Sequence, residues 1–154
     1  LGNISRHGFI NHGLERTRAR KMIDHFGIVP SAIDGKVAFY SGGNQQKLVL
    51  ARELDGDPKI ILVGQPTRGV DIGAIEFIHR QLVAMRDAGA AILLVSVELD
   101  EIMGLSDRIL VMCGGALVGE LPADEADERT LGLMMANVPL SEIRSQGRTE
   151  GGPA

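Results

Sequence analysis

The sequence predicts an α/β fold: a parallel sheet wrapped by helices, with an antiparallel pair at one edge. Three observations carry this. Residues 60–63 and 91–95 are short continuous apolar runs bounded by turn-formers, the pattern of strands buried on both faces. A long helical pattern over 72–88 separates them, and strand–helix–strand implies parallel pairing. Two further strand-like runs, 108–112 and 116–121, flank Cys113-Gly114-Gly115, a hairpin signal.

The other elements follow in order. Residues 1–13 carry three glycines and two asparagines and are expected to be loop. A helix is predicted over 14–26, with Gly27 as its stop, and loop over 30–40. The helix over 44–54 is closed by Asp55-Gly56-Asp57-Pro58. Asp71 caps the helix that starts at Ile72, and Gly89 follows its end. Short helices are expected over 99–105 and 130–136. From Pro139 the chain turns polar, and a mobile tail is expected.

Composition limits what the chain can do. Its 154 residues suffice for one domain with a core. Aromatics make up 3%, so that core is aliphatic. A formal charge of −4 gives no general attraction to nucleic acid. The first 36 residues hold six basic and three acidic side chains, which reads as a solvated helix face. Cys113 is the only cysteine, so no internal disulfide forms, and a reducing compartment fits. No signal peptide is evident at the N-terminus. No apolar run is long enough to span a bilayer, so any membrane role is expected to come through a partner.

The stretch "YSGGNQQKLVLAREL" places Ser41-Gly42-Gly43 directly before a helix. The first turn of a helix has unpaired N–H groups and partial positive charge. Ser41 can cap it or offer its hydroxyl to a ligand oxygen. Gly42 and Gly43 let an anion approach the backbone. Together they suit a phosphate, although a plain serine cap before a flexible glycine pair accounts for the same three residues.

The longer string "SGGNQQKLVLAR" resembles the signature motif of ABC-type ATPases, in the variant of sugar and nucleoside importers. "PTRGVD" (residues 66–71) resembles the loop after the Walker B strand. "ILLVS" and "LSDRILVM" resemble the strands before and after the switch histidine. The order agrees over about residues 37–121. "GQPTRGVDIGAIEFIHR" and "LGLMMANV" resemble the second half of the tandem ATP-binding subunit of nucleoside-type importers. The fold so implied is part of a RecA-like ATPase core. Residues 1–58 would be a helical-subdomain portion with the signature, 59–138 the C-terminal part of the core, and 139–154 a flexible tail.

Several hydrolytic features are missing. The Gly35-Lys36 pair lacks the other residues of a G-x-x-x-x-G-K-[ST] loop. The resemblance implies that the P-loop, the adenine-stacking aromatic and the Q-loop lie before Leu1. Gly64 stands where an aspartate would support Mg2+. Gln65 stands where a glutamate would act on water, and an amide is no base. Val97 stands at the switch histidine. This half is therefore expected to be inactive alone.

In the family two halves pack head to tail, each ATP lying between the P-loop of one and the signature of the other. The resemblance thus assigns Ser41, Gly42 and Gly43 to the terminal phosphate of ATP on the opposite half, with Asn44 and Gln45 lining the turn. Lys47 could support that turn or be solvent-exposed. Asp71 caps a helix and lies in a loop toward the other site, and Arg68 is an interface or surface charge. ATP and Mg2+ would be shared with the opposite half. The implied partners are that second half, membrane-spanning permease subunits and, indirectly, a solute-binding protein, with no nucleic acid. The implied location is cytoplasmic, on the inner face of the membrane. Competing readings are an active ATPase half using another base, and a non-transport ABC protein of DNA repair or translation.

Overall fold

The computed structural model describes residues 5–6 and 9–149, with side-chain surroundings for 11–145. The described chain falls into two compact units, one up to Leu93 and one from Leu94.

The first unit begins with β1 (Ser5–Arg6) and β2 (Phe9–Ile10), an antiparallel pair in register Ser5↔Ile10. Then comes α1 (His12–His25), capped by Asn11, whose side chain accepts the Leu14 N–H at 3.1 Å. The loop expected over 1–13 therefore holds two short strands and the first turn of a helix. Asn11 is a strong cap, and it starts α1 two residues earlier than the apolar pattern does. Helix α2 (Gly42–Leu54) follows a single 3-10 turn at Val37–Phe39.

Strand β3 (Ile60–Gly64), helix α3 (Ile72–Asp87) and strand β4 (Ala91–Val95) form the predicted crossover, with β3 and β4 adjacent and parallel. Ala74, Ile78 and Leu82 make a buried i, i+4, i+8 stripe on α3. Leu50, Ala51 and Leu54 are buried on α2, which packs against α3. Phe26, just beyond α1, meets Phe77 edge to face with centroids 5.6 Å apart, a favoured aromatic geometry.

Burial of the strands differs from expectation. Ile61 is buried, but Ile60 is 80% and Leu62 72% exposed, and Leu93 and Val95 on β4 are exposed as well. A continuous apolar run records what a strand can bury; in this structure only one face of β3 is covered.

The second unit holds α4 (Leu99–Leu105), the hairpin β5 (Arg108–Cys113) and β6 (Ala116–Pro122), α5 (Glu128–Met135) and α6 (Leu140–Thr149). Gly114 and Gly115 both have positive φ, +57° and +81°, as a two-residue hairpin turn needs. Ile109 and Val111 alternate inward on β5. With Leu121, Leu131 and Met134 they form the core. Gly119 makes room: a Cβ there would lie 2.5 Å from the Met134 terminal methyl.

The tail expected from Pro139 instead carries α6. Leu140 and Ile143, one turn apart, pack against the core, and Arg144 pairs with Glu125 at 2.7 Å. Tertiary packing stabilises a helix that its polar composition conceals. The part of that tail at 150–154 lies outside the described residues.

Candidate functional site: the tip of helix α2

Ser41 has extended backbone (φ −60°, ψ 157°) and ends the preceding turn, so α2 begins at Gly42. Its hydroxyl oxygen accepts from the Asn44 N–H at 3.4 Å and from Asn44 Nδ2 at 2.9 Å. The direction of the second bond is set from behind. The Val29 N–H donates to Asn44 Oδ1 at 2.8 Å, and a backbone N–H can only donate. The amide nitrogen of Asn44 must then face Ser41, and the serine oxygen must accept. Ser41's own proton is thereby turned away from Asn44.

The rest of the turn is fixed in the same way. The Gln45 N–H donates to the Ser41 carbonyl at 2.9 Å, and Gln45 Nε2 donates to the Tyr40 carbonyl at 2.8 Å. Tyr40 is buried, and its hydroxyl donates to the Ala32 carbonyl at 2.9 Å. Tyr40 thereby anchors the chain immediately before Ser41. Lys47, for which the sequence left support of the turn and solvent exposure both open, is half-buried with its partners outside that turn. Its ammonium lies 3.4 Å from the Gly27 carbonyl oxygen and 4.9 Å above the Phe77 ring, a cation–π position.

Ser41 and Gly42 are exposed, whereas Gly43 is buried. Gly43 faces the start of α3, where Asp71 accepts the Ala74 N–H at 2.9 Å and caps the helix. The structure thus brings Ser41, Gly42, Gly43, Asn44, Gln45 and Asp71 together. Gly64 and Gln65 stand at the end of β3, where the loop to Asp71 begins. Gly64 is exposed and a Cβ there would meet nothing within 4 Å, so no steric demand explains the glycine. Gln65 has φ +50°, a left-handed conformation unusual for a side-chain-bearing residue. Pro66 and Thr67 are buried, and Arg68 is exposed. Val97 belongs to the second unit and is exposed. Glu98 is the residue before α4 and makes no side-chain cap bond.

Sequence reasoning missed Val29, Gly69 and Ala74 as neighbours of the tip. Only Gly69, with φ +73°, carried a local signal. Among the described residues no group of three His, Cys, Asp or Glu side chains could hold a metal ion. No helix there is long and apolar enough to cross a membrane.

The fold is that of part of an ABC-type ATPase cassette. A dimeric ATP-binding cassette in a post-hydrolysis state, bound to ADP and Pi, matches with a TM-score of 0.65, covering 77% of this chain and 51% of its own, at 24% identity. At that identity the likeness speaks for the fold. Homologues of the chain are nucleoside and sugar import ATP-binding proteins. The nucleoside import ATP-binding protein NupA of Lactococcus lactis is 39% identical over 139 residues, 90% of this chain. The guanosine import ATP-binding protein NupO of Bacillus subtilis is 42% identical over 135 residues, 88% of this chain. The chain spans 28% and 26% of their lengths. No protein-family model matches it.

Proposed function

We propose that this chain is a nucleotide-sandwich segment of an ABC importer ATPase for nucleosides or simple sugars. Its α2 tip meets the terminal phosphate of ATP held by an opposite half. The observation that carries this is a 13-residue helix whose exposed cap and first residue, Ser41 and Gly42, offer a serine hydroxyl and a glycine backbone, in a segment matching import ATP-binding proteins. The helix N-terminus supplies N–H donors and positive partial charge. No acidic residue stands in its first turn. The dimeric, ADP- and Pi-bound state of the matched cassette supports a site shared between two halves.

The residues fit a phosphate and do not fit a resident Mg2+. Gly64 has no side-chain ligand to give, and Gln65 has an amide in place of a base. The metal and the catalytic base therefore belong to the opposite half, and this segment supplies binding and closure. Residues 1–58 correspond to a helical-subdomain portion, and 59–138 to part of the ATPase core. The partners are the second half and membrane-spanning permease subunits, with a solute-binding protein acting through them. That places the segment on the cytoplasmic face of the membrane.

The test is Ser41→Arg in the longer ATP-binding protein assembled with its permease. The arginine fills the space of the phosphate, so solute-stimulated ATP hydrolysis should be lost while the assembly persists. Unchanged hydrolysis would refute the role given to the tip.

A further inference from the structure

The α2 tip is wedged against its own loop. A Cβ on Gly43 would fall 2.8 Å from Asp71 Oδ2 and 3.0 Å from the Ala74 Cβ. A Cβ on Gly42 would fall 3.1 Å from the Gly69 carbonyl oxygen. The first of these distances is shorter than a Cβ keeps from any packed atom and the second is tight, so a side chain at 43 would have to displace Asp71 or Ala74, whatever anion the tip meets. The carboxylate cannot simply swing aside. Its Oδ1 is held by the Ala74 N–H at 2.9 Å, and Gly43 is buried against it.

We infer that Asp71 is a positioning residue for the α2 tip. One oxygen clamps the carboxylate to α3 and seats the other against Gly43, so the tip and the loop from Gln65 to Asp71 move as one body. The loop starts at Gln65, in its left-handed conformation, and is anchored by buried Pro66 and Thr67. Any rearrangement at the end of β3 is therefore carried to Ser41 and Gly42. The consequence for nucleotide rests on the function proposed above; the contact itself does not.

Two nucleotide-free measurements on the 154-residue chain test this. Asp71→Ser keeps a capping oxygen for α3 but withdraws Oδ2 from Gly43. Amide exchange at Asn44 and Gln45 should then quicken by about threefold or more, while Ile75, bonded to the Asp71 carbonyl at 3.0 Å, holds its rate. Asp71→Asn, which retains both the cap and the fill, should restore slow exchange. Unaltered exchange at Asn44 and Gln45 in Asp71→Ser would reduce Asp71 to a helix cap and overturn the inference.

The second measurement is the thermal midpoint. Gly43→Ala should lower it by about 3–10 °C, and by less than half as much in a background carrying Asp71→Ser and Ala74→Gly. Equal shifts in the two backgrounds would overturn the inference. Because no nucleotide is present, either result leaves the Ser41→Arg test of function to stand or fall separately.

Discussion

Asp at position 44 should separate stability from activity. Asn44 makes two side-chain bonds: Oδ1 accepts from the Val29 N–H at 2.8 Å and Nδ2 donates to Ser41 Oγ at 2.9 Å. Asn44→Asp keeps the first bond and strengthens it with charge. It reverses the second, because a carboxylate only accepts and Ser41 must now donate to it. The number of bonds is unchanged, and a negative charge in the first turn of α2 adds about 0.3–1 kcal/mol through the helix dipole. Asn44→Ala loses both bonds. Each is worth about 0.5–1.5 kcal/mol, and exposure puts these at the low end, so the loss is roughly 1 kcal/mol.

Thermal unfolding of the chain should therefore order the variants Asp, then Asn, then Ala, with Ala roughly 2–4 °C below wild type. ATP hydrolysis by the longer assembled protein should run differently: Asn, then Ala, then Asp. In the Asp variant Ser41's only proton is committed to position 44 and is withdrawn from the phosphate. A hydrogen bond to a charged group is worth about 1.5–3 kcal/mol, so apparent ATP affinity should fall roughly 10- to 150-fold. If Asp destabilises as much as Ala, the assigned bond directions are wrong. If Asp hydrolyses ATP like Asn, Ser41 does not donate to the phosphate.

Met134 is fully buried at the centre of the second unit; Met134→Ala should cost about 2–5 kcal/mol in a denaturant titration, and a loss under 1 kcal/mol would show that the site collapses freely. The Asp127 carboxyl is held below its ordinary range, first by the Thr130 hydroxyl at 2.7 Å and then by the Thr130 N–H at 2.8 Å. A depressed folded value means that its stabilisation is present above the unfolded carboxylate range and fades as pH falls through the folded value. The destabilisation by Asp127→Ala should thus be full at pH 7 and smaller at about pH 3; a pH-independent difference would contradict this. Gln65→Glu puts a carboxylate beside Gly64, which still carries no side-chain metal ligand, so phosphate release by the chain should stay at background.

The legible parts of the fold were those encoded locally. Helix α3 could be read because its cap, Asp71, its stripe of Ala74, Ile78 and Leu82, and its terminal Gly89 (φ +91°) all lie within twenty residues. The hairpin could be read because Gly114 and Gly115 both need positive φ. Helix α6 could not, since only its packing on the core makes it a helix. The β1–β2 pair was too short to leave a period. At the site the same division holds. Ser41 as cap was legible in its own tripeptide, but Val29 reaches Asn44 across fifteen residues. Gly43 shows the limit most sharply: its glycine read as room for an anion, and the structure gives a second and sufficient reason in Asp71 and Ala74, which no window around residue 43 contains.

The exposed face of β3 extends that reasoning to the longer proteins. Ile60 and Leu62 alternate with buried Ile61, and each uncovered aliphatic side chain forgoes about 1.5–3 kcal/mol of burial. A solvated face would favour threonine or a charge at those positions, and the sequence instead writes isoleucine and leucine. Relatives that match this chain are between three and four times its length, given its 28% and 26% share of them, so they contain chain enough to cover the face. Leu62→Asp should then be almost neutral in the 154-residue chain, where the side chain is already in water, yet cost roughly 3 kcal/mol or more in the longer protein. Equal costs in the two settings would mean that the apolar face of β3 is not covered there, and that its residues answer to something other than burial.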